Sequence, residues 1–289
     1  MKRILAASRP FSWIDTAFPF AAGYLLSTGG RIDVAFVVGT LYFLGPYNLL
    51  MYGVNDVFDY ASDLLNPRKG GIEGARADPE TARAEHRRIL WACAATNIPL
   101  LVWLLALGGV AAGAVLIVVV FLVVAYSAPR LRFKERPVVD SATSAMHFVG
   151  PLLYALVLTG TDLSARTAWP ALVAFALWGM ASHAFGAVQD VQADRAGGIA
   201  SVATAAGAHR TVVASVGAYV AASAVLLTAP WPGSLTALLP LPYAVNAAGF
   251  WSVRDESCEQ ANRGWRRFLW LNLVTGFLVT MLLIETTRI

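Results

Sequence analysis

The chain has 289 residues, of which 57% are hydrophobic and only 14% are charged, and its mean hydropathy is +0.59. This composition excludes an ordinary soluble domain, in which about a quarter of the residues are charged. The formal net charge of +4 does not indicate a nucleic-acid partner, because the basic residues are distributed as in a membrane protein.

Apolar runs long enough to cross a bilayer recur along the whole chain, since a spanning helix needs about 20 mostly apolar residues. We predict an all-α integral membrane fold with about nine transmembrane helices in one domain, residues 1–289. The first run carries Asp15 and lacks a clear small-residue cleavage site, so we interpret it as a helix and not as a signal peptide. The predicted helices cover residues 11–28, 34–60, 88–107, 109–127, 141–161, 168–189, 211–229, 233–253 and 267–285.

Lysine and arginine are distributed unevenly between the two sides of this predicted topology. Nineteen of the 22 lie at the N-terminus or in the four connections that fall on the same side, and the others are Arg31, Arg166 and Arg288. Cytosolic loops carry an excess of Lys and Arg. The sequence therefore predicts a multi-pass protein of the cell (plasma) membrane with its N-terminus in the cytosol and its C-terminus outside.

The second predicted helix ends in an acidic stretch, YGVNDVFDYASD. It places Asn55, Asp56, Asp59 and Asp63 on one helical face near the cytosolic boundary. Negative charge at a helix C-terminus opposes the macrodipole. One aspartate there would simply end the helix in water, but a whole acidic face indicates that a cation compensates it.

A second acidic cluster, DVQAD, ends the sixth predicted helix on the same side, with Asp190 and Asp194 one turn apart. Mg²⁺ prefers carboxylate oxygens, keeps several waters and bridges to substrate phosphates. Two such clusters could hold two ions around a diphosphate. Nearby basic side chains could bind the remaining phosphate oxygens, with lipid headgroups as the alternative partners. These side chains are Arg68, Lys69, Arg130, Arg132, Lys134 and Arg195.

Both acidic segments resemble motifs of the UbiA-type intramembrane prenyltransferases. NDVFDYASD resembles their NDxxDxxxD motif, and DVQAD is similar to their second motif, DxxxD. SRPFSW at 8–13 and YSAPRLRFKERP at 126–137 resemble the start of the family's first helix and its basic loop after the fourth helix. The resemblance covers about residues 8–210. Within the family, SHAFGAVQDVQADRAGGIASVAT at 182–204 and NPRKGGIEGA at 66–75 look like the lycopene elongase branch of C50 carotenoid synthesis.

The resemblance implies a Mg²⁺-dependent enzyme that transfers a dimethylallyl group from its diphosphate to the ends of lycopene. Such a reaction needs a central apolar cavity that is open to the cytosolic side and to membrane lipid. The residues implied as metal ligands are Asn55, Asp56, Asp59, Asp63, Asp190 and Asp194, and Asp59, Asp190 and Asp194 are also expected to be essential for catalysis.

Diphosphate binding is implied, by family analogy, for Arg9, Lys69, Tyr126 and Arg130. The aromatic face of Tyr52 could stabilise the allylic cation. Asn48 lies seven residues before Asn55 on the same helix face and either orients Asn55 or bonds a neighbouring helix.

His183 lies seven residues before Asp190, on the same helical face. Prenyl addition to a terminal double bond of lycopene leaves a tertiary cation, which must lose a proton or capture water. We hypothesise that His183 takes this proton or places the water. The alternative is a hydrogen-bonded structural histidine.

Two alternative functions stay open at this point. One is a related prenyltransferase that acts on an aromatic or quinone precursor or on a glycerol-phosphate lipid. The other is an ion-coupled transporter whose carboxylates bind a cation or a proton. Transporter sites lie near the membrane midplane, often beside inverted repeats, whereas these acids lie near one surface. The sequence leaves homo-oligomer formation open.

Overall fold

The computed structural model describes residues 2–60 and 79–287. Within these ranges the chain is helical and contains no strand. The same ranges contain six helical segments that are long and apolar enough to cross a membrane, so the predicted all-α membrane fold is confirmed and the count of nine stays a prediction. These segments are Val34–Phe58, Ala82–Ser127, Val139–Leu158, Trp169–Val188, Ala208–Leu226 and Asp255–Thr286.

The chain divides into two compact units, Met1–Arg132 with Gly150–Gly160, and Phe133–Val149 with Thr161–Ile289. One domain over 1–289 stays a prediction. The first unit contains α1 (Lys2–Ala7), α2 (Trp13–Thr28), α3 (Val34–Leu44), α4 (Pro46–Phe58) and α5 (Ala82–Ser127). The helix α6 (Val139–Leu158) contributes its first part to the second unit and its last part to the first.

A break between α3 and α4 divides the second predicted helix. Proline lacks a backbone N–H and therefore interrupts the helical hydrogen bonds at Pro46. The buried side chain of Asn48 donates to the carbonyls of Phe43, at 2.8 Å, and Leu44, at 3.1 Å, next to the break. Its amide also donates to Thr16 Oγ1 of α2, at 2.6 Å. Asn48 thus stabilises the break and bonds a neighbouring helix.

The long helix α5 combines the two helices predicted at 88–107 and 109–127. Gly109 interrupts it with non-helical backbone angles, φ 67° and ψ −175°. This left-handed conformation is easily adopted only by glycine. The predicted boundary therefore falls at the interruption that the structure shows.

The core of the first unit is aromatic. Phe20, Tyr42, Phe43 and Tyr154 are fully buried, and the rings of Phe20 and Phe43 lie 5.2 Å apart. Gly39 allows α3 to approach α2 closely, because a Cβ atom at this position would lie 2.1 Å from Phe20 Cζ. Small residues at contacts between membrane helices permit such packing.

The second unit contains, besides the start of α6, the helices α7 (Trp169–Val188), α8 (Val191–Ala196), α9 (Val202–Ala206), α10 (Ala208–Leu226), α11 (Leu241–Ala248) and α12 (Asn262–Thr287). Its core lies between α7, α10, α11 and α12. There the ring of Tyr243 contacts Trp178, Tyr219 and Phe268 at centroid distances of 5.5, 5.7 and 5.5 Å.

The prediction of a single helix at 233–253 is wrong. The chain instead forms a 3₁₀ helix, Gly233–Leu238, followed by the short α11. Pro240 and Pro242 lie between these elements and at the start of α11, where their missing N–H groups are tolerated but a continuous helix is not.

Candidate active site

Asp59 lies at the C-terminal end of α4 in a buried, charge-compensated position. Its side chain is 1% exposed, and its backbone N–H donates to the Asn55 carbonyl at 2.9 Å. Ser127 Oγ donates to Asp59 Oδ2 at 3.0 Å, and Arg132 Nη2 lies 3.5 Å from Oδ1. A buried carboxylate is tolerated only with such compensation. The first unit therefore brings together the ends of α4 and α5 and the start of the basic loop.

Asp56 lies one turn before Asp59 and is paired with a second guanidinium. Arg9 Nη2 donates to Asp56 Oδ1 at 3.1 Å, and both side chains are mostly buried. The Arg9 guanidinium lies 4.3 Å from the centre of the Tyr52 ring, which is within the range of a cation–π contact. Arg9, Tyr52 and Asp56, predicted separately as site residues, therefore form one cluster, and the half-buried Asn55 lies beside it in α4.

Backbone strain occurs at Arg9 and Arg132 of this cluster and at Arg130 in the loop after α5. Arg9, Arg130 and Arg132 have φ angles of 48°, 73° and 39°, in the left-handed region that side chains other than glycine disfavour. Each such residue costs about 1 kcal/mol or more, and strained residues concentrate at functional sites. Nothing in the sequence signals this conformation.

The other predicted substrate-binding residues are placed as follows. Tyr126 is half-buried in the last turn of α5, and Arg130 is exposed in the loop after it. Lys134 is half-buried and belongs to the second unit. Three predicted site residues, Asp63, Arg68 and Lys69, lie outside the described residues.

The second acidic motif lies at the start of α8. Asp190 precedes α8, and the N–H of Asp194 donates to the Asp190 carbonyl at 2.8 Å, so the two half-buried carboxylates lie one turn apart. Arg195 Nη1 pairs with Asp255 Oδ2 at 2.6 Å, and Arg195 Nη2 donates to the Thr204 carbonyl at 2.8 Å. Arg195 therefore holds the loop after this motif in place.

His183 is hydrogen-bonded to the start of α6. Its Nδ1 lies 3.1 Å from Ser141 Oγ, which in turn lies 3.3 Å from Asp140 Oδ1. Asp140 is fully buried and accepts hydrogen bonds from the backbone N–H groups of Ser141 and Val202, both at 2.7 Å. Sequence reasoning missed Ser141 and gave Asp140 no chemical role, because the contact joins residues 42 positions apart.

The described part of the chain contains no group of three or more His, Cys, Asp or Glu side chains arranged to hold a metal ion. Mg²⁺ is usually held by one or two carboxylates together with substrate phosphates. The adjacent Asp56 and Asp59 offer that donor set.

Comparison with known proteins agrees with the fold and the motifs. Residues 16–274 match the UbiA prenyltransferase family. Over its whole length the chain is 49% identical to a lycopene elongase/hydratase from Corynebacterium glutamicum, and the alignment covers 99% of that protein. It is also 50% identical to the C(50) beta-cyclic carotenoids biosynthesis protein LbtBC from Dietzia sp.. That alignment covers 96% of this chain and 63% of the Dietzia protein.

A solved UbiA homologue from Archaeoglobus fulgidus, bound to GPP and Mg²⁺, has the same fold with a TM-score of 0.70. The superposition covers 96% of this chain and 99% of that one at 19% identity. By its sequence over most of its length and by its fold, the chain belongs to the UbiA prenyltransferase family.

Proposed function

We propose that this prenyltransferase moves a dimethylallyl group from dimethylallyl diphosphate to each end of lycopene, which yields C45 and then C50 carotenoids. The observation that carries the acceptor assignment is the 49% identity, over the full length, to a relative named lycopene elongase/hydratase. The donor assignment is supported by the Archaeoglobus fulgidus homologue solved with DMAPP and Mg²⁺.

The residues at the end of α4 fit a magnesium–diphosphate site. Asp56 and Asp59 are carboxylates one turn apart, each beside a guanidinium. Their hard oxygen donors suit Mg²⁺. The proposed ligands are Asn55, Asp56, Asp59 and Asp63 of the first motif and Asp190 and Asp194 of the second. When bound, Mg²⁺ would neutralise charge that develops on the departing diphosphate.

Arg9 has the properties of a diphosphate-binding residue. Its Nη2 is anchored by Asp56 and its guanidinium is held over Tyr52, so that its direction is fixed. Its Nε is buried and has no hydrogen-bond partner among the described residues. A buried donor without a partner is costly, and a phosphate oxygen would satisfy it. The further proposed diphosphate ligands are Arg68, Lys69, Tyr126, Arg130, Lys134 and Arg195.

The proposed reaction breaks the donor's C–O bond and releases diphosphate, on which the fixed arginines stabilise the leaving charge. A terminal double bond of lycopene then forms the new C–C bond with the allylic cation. The resulting tertiary cation loses a proton or captures water, and His183 accepts the proton that is released. We further propose that the active site lies on the cytosolic side of the plasma membrane.

Expression in a lycopene-accumulating bacterial host tests the acceptor. Mass analysis of the pigments should show lycopene that has gained one and then two five-carbon units, because its two ends are equivalent. The matched control is Asp59→Asn, which should leave lycopene unchanged. If wild-type enzyme leaves lycopene unchanged but prenylates an aromatic acid or a lipid alcohol in the same membranes, the acceptor assignment is wrong and prenyl transfer stands.

A further inference from the structure

The short loop between α1 and α2, residues 8–12, holds Arg9 in a left-handed backbone conformation. Arg9 has φ 48° and ψ 72° and is followed by the 3₁₀ turn Pro10–Ser12. A left-handed residue other than glycine is unfavourable. The proline that follows disfavours the right-handed helical region as well. Contacts around Arg9 must therefore select this conformation and keep it.

The indole N–H of Trp13 closes the loop. Trp13 Nε1 donates to the backbone carbonyl of Ser8 at 3.0 Å and to Ser8 Oγ at 3.1 Å. Ser8 is 4% exposed, and its hydroxyl donates to the Leu5 carbonyl at 2.7 Å, so that its oxygen accepts from the indole. Trp13 is the first residue of α2. The indole thus ties the start of α2 to the residue that follows α1.

Both peptide groups that flank Arg9 are held by hydrogen bonds. The Ser8 carbonyl, before Arg9, accepts from the Trp13 indole. The Arg9 carbonyl, after it, accepts from the backbone N–H of Ser12 at 2.8 Å. Rotation about φ or ψ of Arg9 turns one of these peptide groups relative to the other and breaks a hydrogen bond. A buried acceptor that loses its donor is costly, so the two bonds oppose a change of the Arg9 backbone.

The backbone conformation of Arg9 sets where its guanidinium lies. Arg9 Nη2 donates to Asp56 Oδ1 at 3.1 Å, and the guanidinium lies 4.3 Å from the centre of the Tyr52 ring. Both partners belong to α4, whereas the Arg9 backbone is held from the start of α2. A different φ at Arg9 would redirect its side chain relative to α4 and separate the guanidinium from both partners.

We propose that Trp13 is a positioning residue that sets the affinity of the enzyme for the donor's diphosphate, because its indole N–H holds Arg9 in this conformation. The inference rests on the proposed function, in which Arg9 binds the diphosphate. Tryptophan also serves as an amphipathic anchor at membrane interfaces. That role needs the ring but not the hydrogen bond to Ser8, so the two roles can be separated by experiment.

Trp13→Phe removes the N–H and keeps an aromatic ring. Calorimetric titration of the detergent-extracted enzyme with inorganic diphosphate and Mg²⁺ should show binding about tenfold weaker, the factor that corresponds to the loss of one hydrogen bond. The KM for dimethylallyl diphosphate should rise by a similar factor, while the KM for lycopene should not change. The matched control is Trp91→Phe, the same change at a side chain of α5 that is 70% exposed.

A double-mutant cycle with Arg9→Gln tests whether Trp13 acts through Arg9. Arg9→Gln removes the guanidinium, so that Trp13→Phe should cause no further loss of diphosphate affinity in this background. A general effect on the fold would weaken binding by the same factor in both backgrounds. If Trp13→Phe does not fold, Trp13→3-benzothienylalanine gives the same comparison, because sulfur replaces the N–H in a ring of nearly the same shape.

The outcomes separate this inference from the proposed function. If the Trp13 variant binds diphosphate as tightly as Trp91→Phe, or loses affinity equally with and without the Arg9 guanidinium, the inference is wrong while lycopene prenylation stands. If the wild-type enzyme leaves lycopene unchanged, the proposed acceptor fails, and a loss of diphosphate affinity that disappears in the Arg9→Gln background still supports the inference. A wild-type enzyme that binds no diphosphate would overturn both the donor assignment and the role of Trp13.

Discussion

Removal of the charge of Asp59 should abolish prenyl transfer at a modest cost in stability. Asp59→Asn keeps the size of the side chain and an oxygen that can accept from Ser127. It removes the negative charge that lies 3.5 Å from Arg132. The substitution therefore separates the need for charge from the need for shape.

The cost in stability follows from the geometry of the pair. Two unit charges 3.5 Å apart attract by about 5 kcal/mol at an effective dielectric constant of about 20. Desolvation of Asp59 opposes much of this attraction, and solvent reaches Arg132, which is 29% exposed. We expect a net loss on the order of 1–2 kcal/mol in the free energy of unfolding. For a chain of this size that lowers Tm by a few degrees.

The cost in activity should be much larger, about 100-fold or more, because in the proposed reaction the charge acts on the diphosphate leaving group and its metal. The assay is conversion of lycopene with dimethylallyl diphosphate in proteoliposomes, normalised to folded protein. The control is Asp33→Asn. Asp33 caps α3, and the hydrogen bond from the backbone N–H of Phe36 lowers the pKa of its carboxyl, so that this variant also removes a negative charge. Asn is an equally good cap.

Two results would refute this reasoning. If Asp59→Asn retains more than roughly a third of wild-type turnover, the charge has no part in the chemistry. If Asp33→Asn loses as much activity as Asp59→Asn, the loss reflects general damage to the first unit and not the site.

Further predictions concern the second motif, the metal, the topology and the packing. Asp190→Ala should abolish turnover in a folded, membrane-extracted protein, and near-normal turnover would exclude it from the site. A chelator should stop the reaction and added Mg²⁺ should restore it, and turnover that survives exhaustive chelation would contradict a metal requirement. Reporter fusions should place the N-terminus in the cytosol and the C-terminus outside, and both ends on one side would refute the predicted topology. Gly39→Ala, whose Cβ would lie 2.1 Å from Phe20 Cζ, should destabilise the protein by about 1–3 kcal/mol in thermal unfolding. Gly276→Ala should not destabilise the protein, because a Cβ at Gly276 would contact no neighbouring atom within 4 Å. Equal losses of stability in the two variants would argue against the close packing of α2 and α3.

The elements that the sequence predicts well are those with a local signal. Long apolar runs predict most of the spanning helices because the bilayer demands them. The acidic face of 55, 56 and 59 is visible because helix periodicity is a property of neighbouring residues. Gly109 separates two apolar runs at the position where the backbone leaves the helix.

The features that the sequence hides depend on distant contacts or on backbone angles. The prediction of one helix over 233–253 was wrong because it gave more weight to the high hydropathy of this segment than to the helix-breaking effect of Pro240 and Pro242. Ser141 and His183 meet only because α6 and α7 pack together, and one sequence carries no record of that pairing. The left-handed backbone at Arg9 has no local signature either, since arginine is not a residue that favours it.

The pairing of acids and arginines explains how the first motif can lie at the end of a membrane helix. Arg9 compensates Asp56, and Arg132 compensates Asp59, so that each buried carboxylate has an opposite charge nearby. In the proposed function, a diphosphate and the divalent ions that neutralise it would bring charges that nearly cancel. The arginines can then turn their remaining donors to phosphate oxygens while the carboxylates turn to the metal. The proposed site would therefore stay close to electrical balance with and without its substrate, which would lower the cost of placing these four charged side chains beside an apolar acceptor.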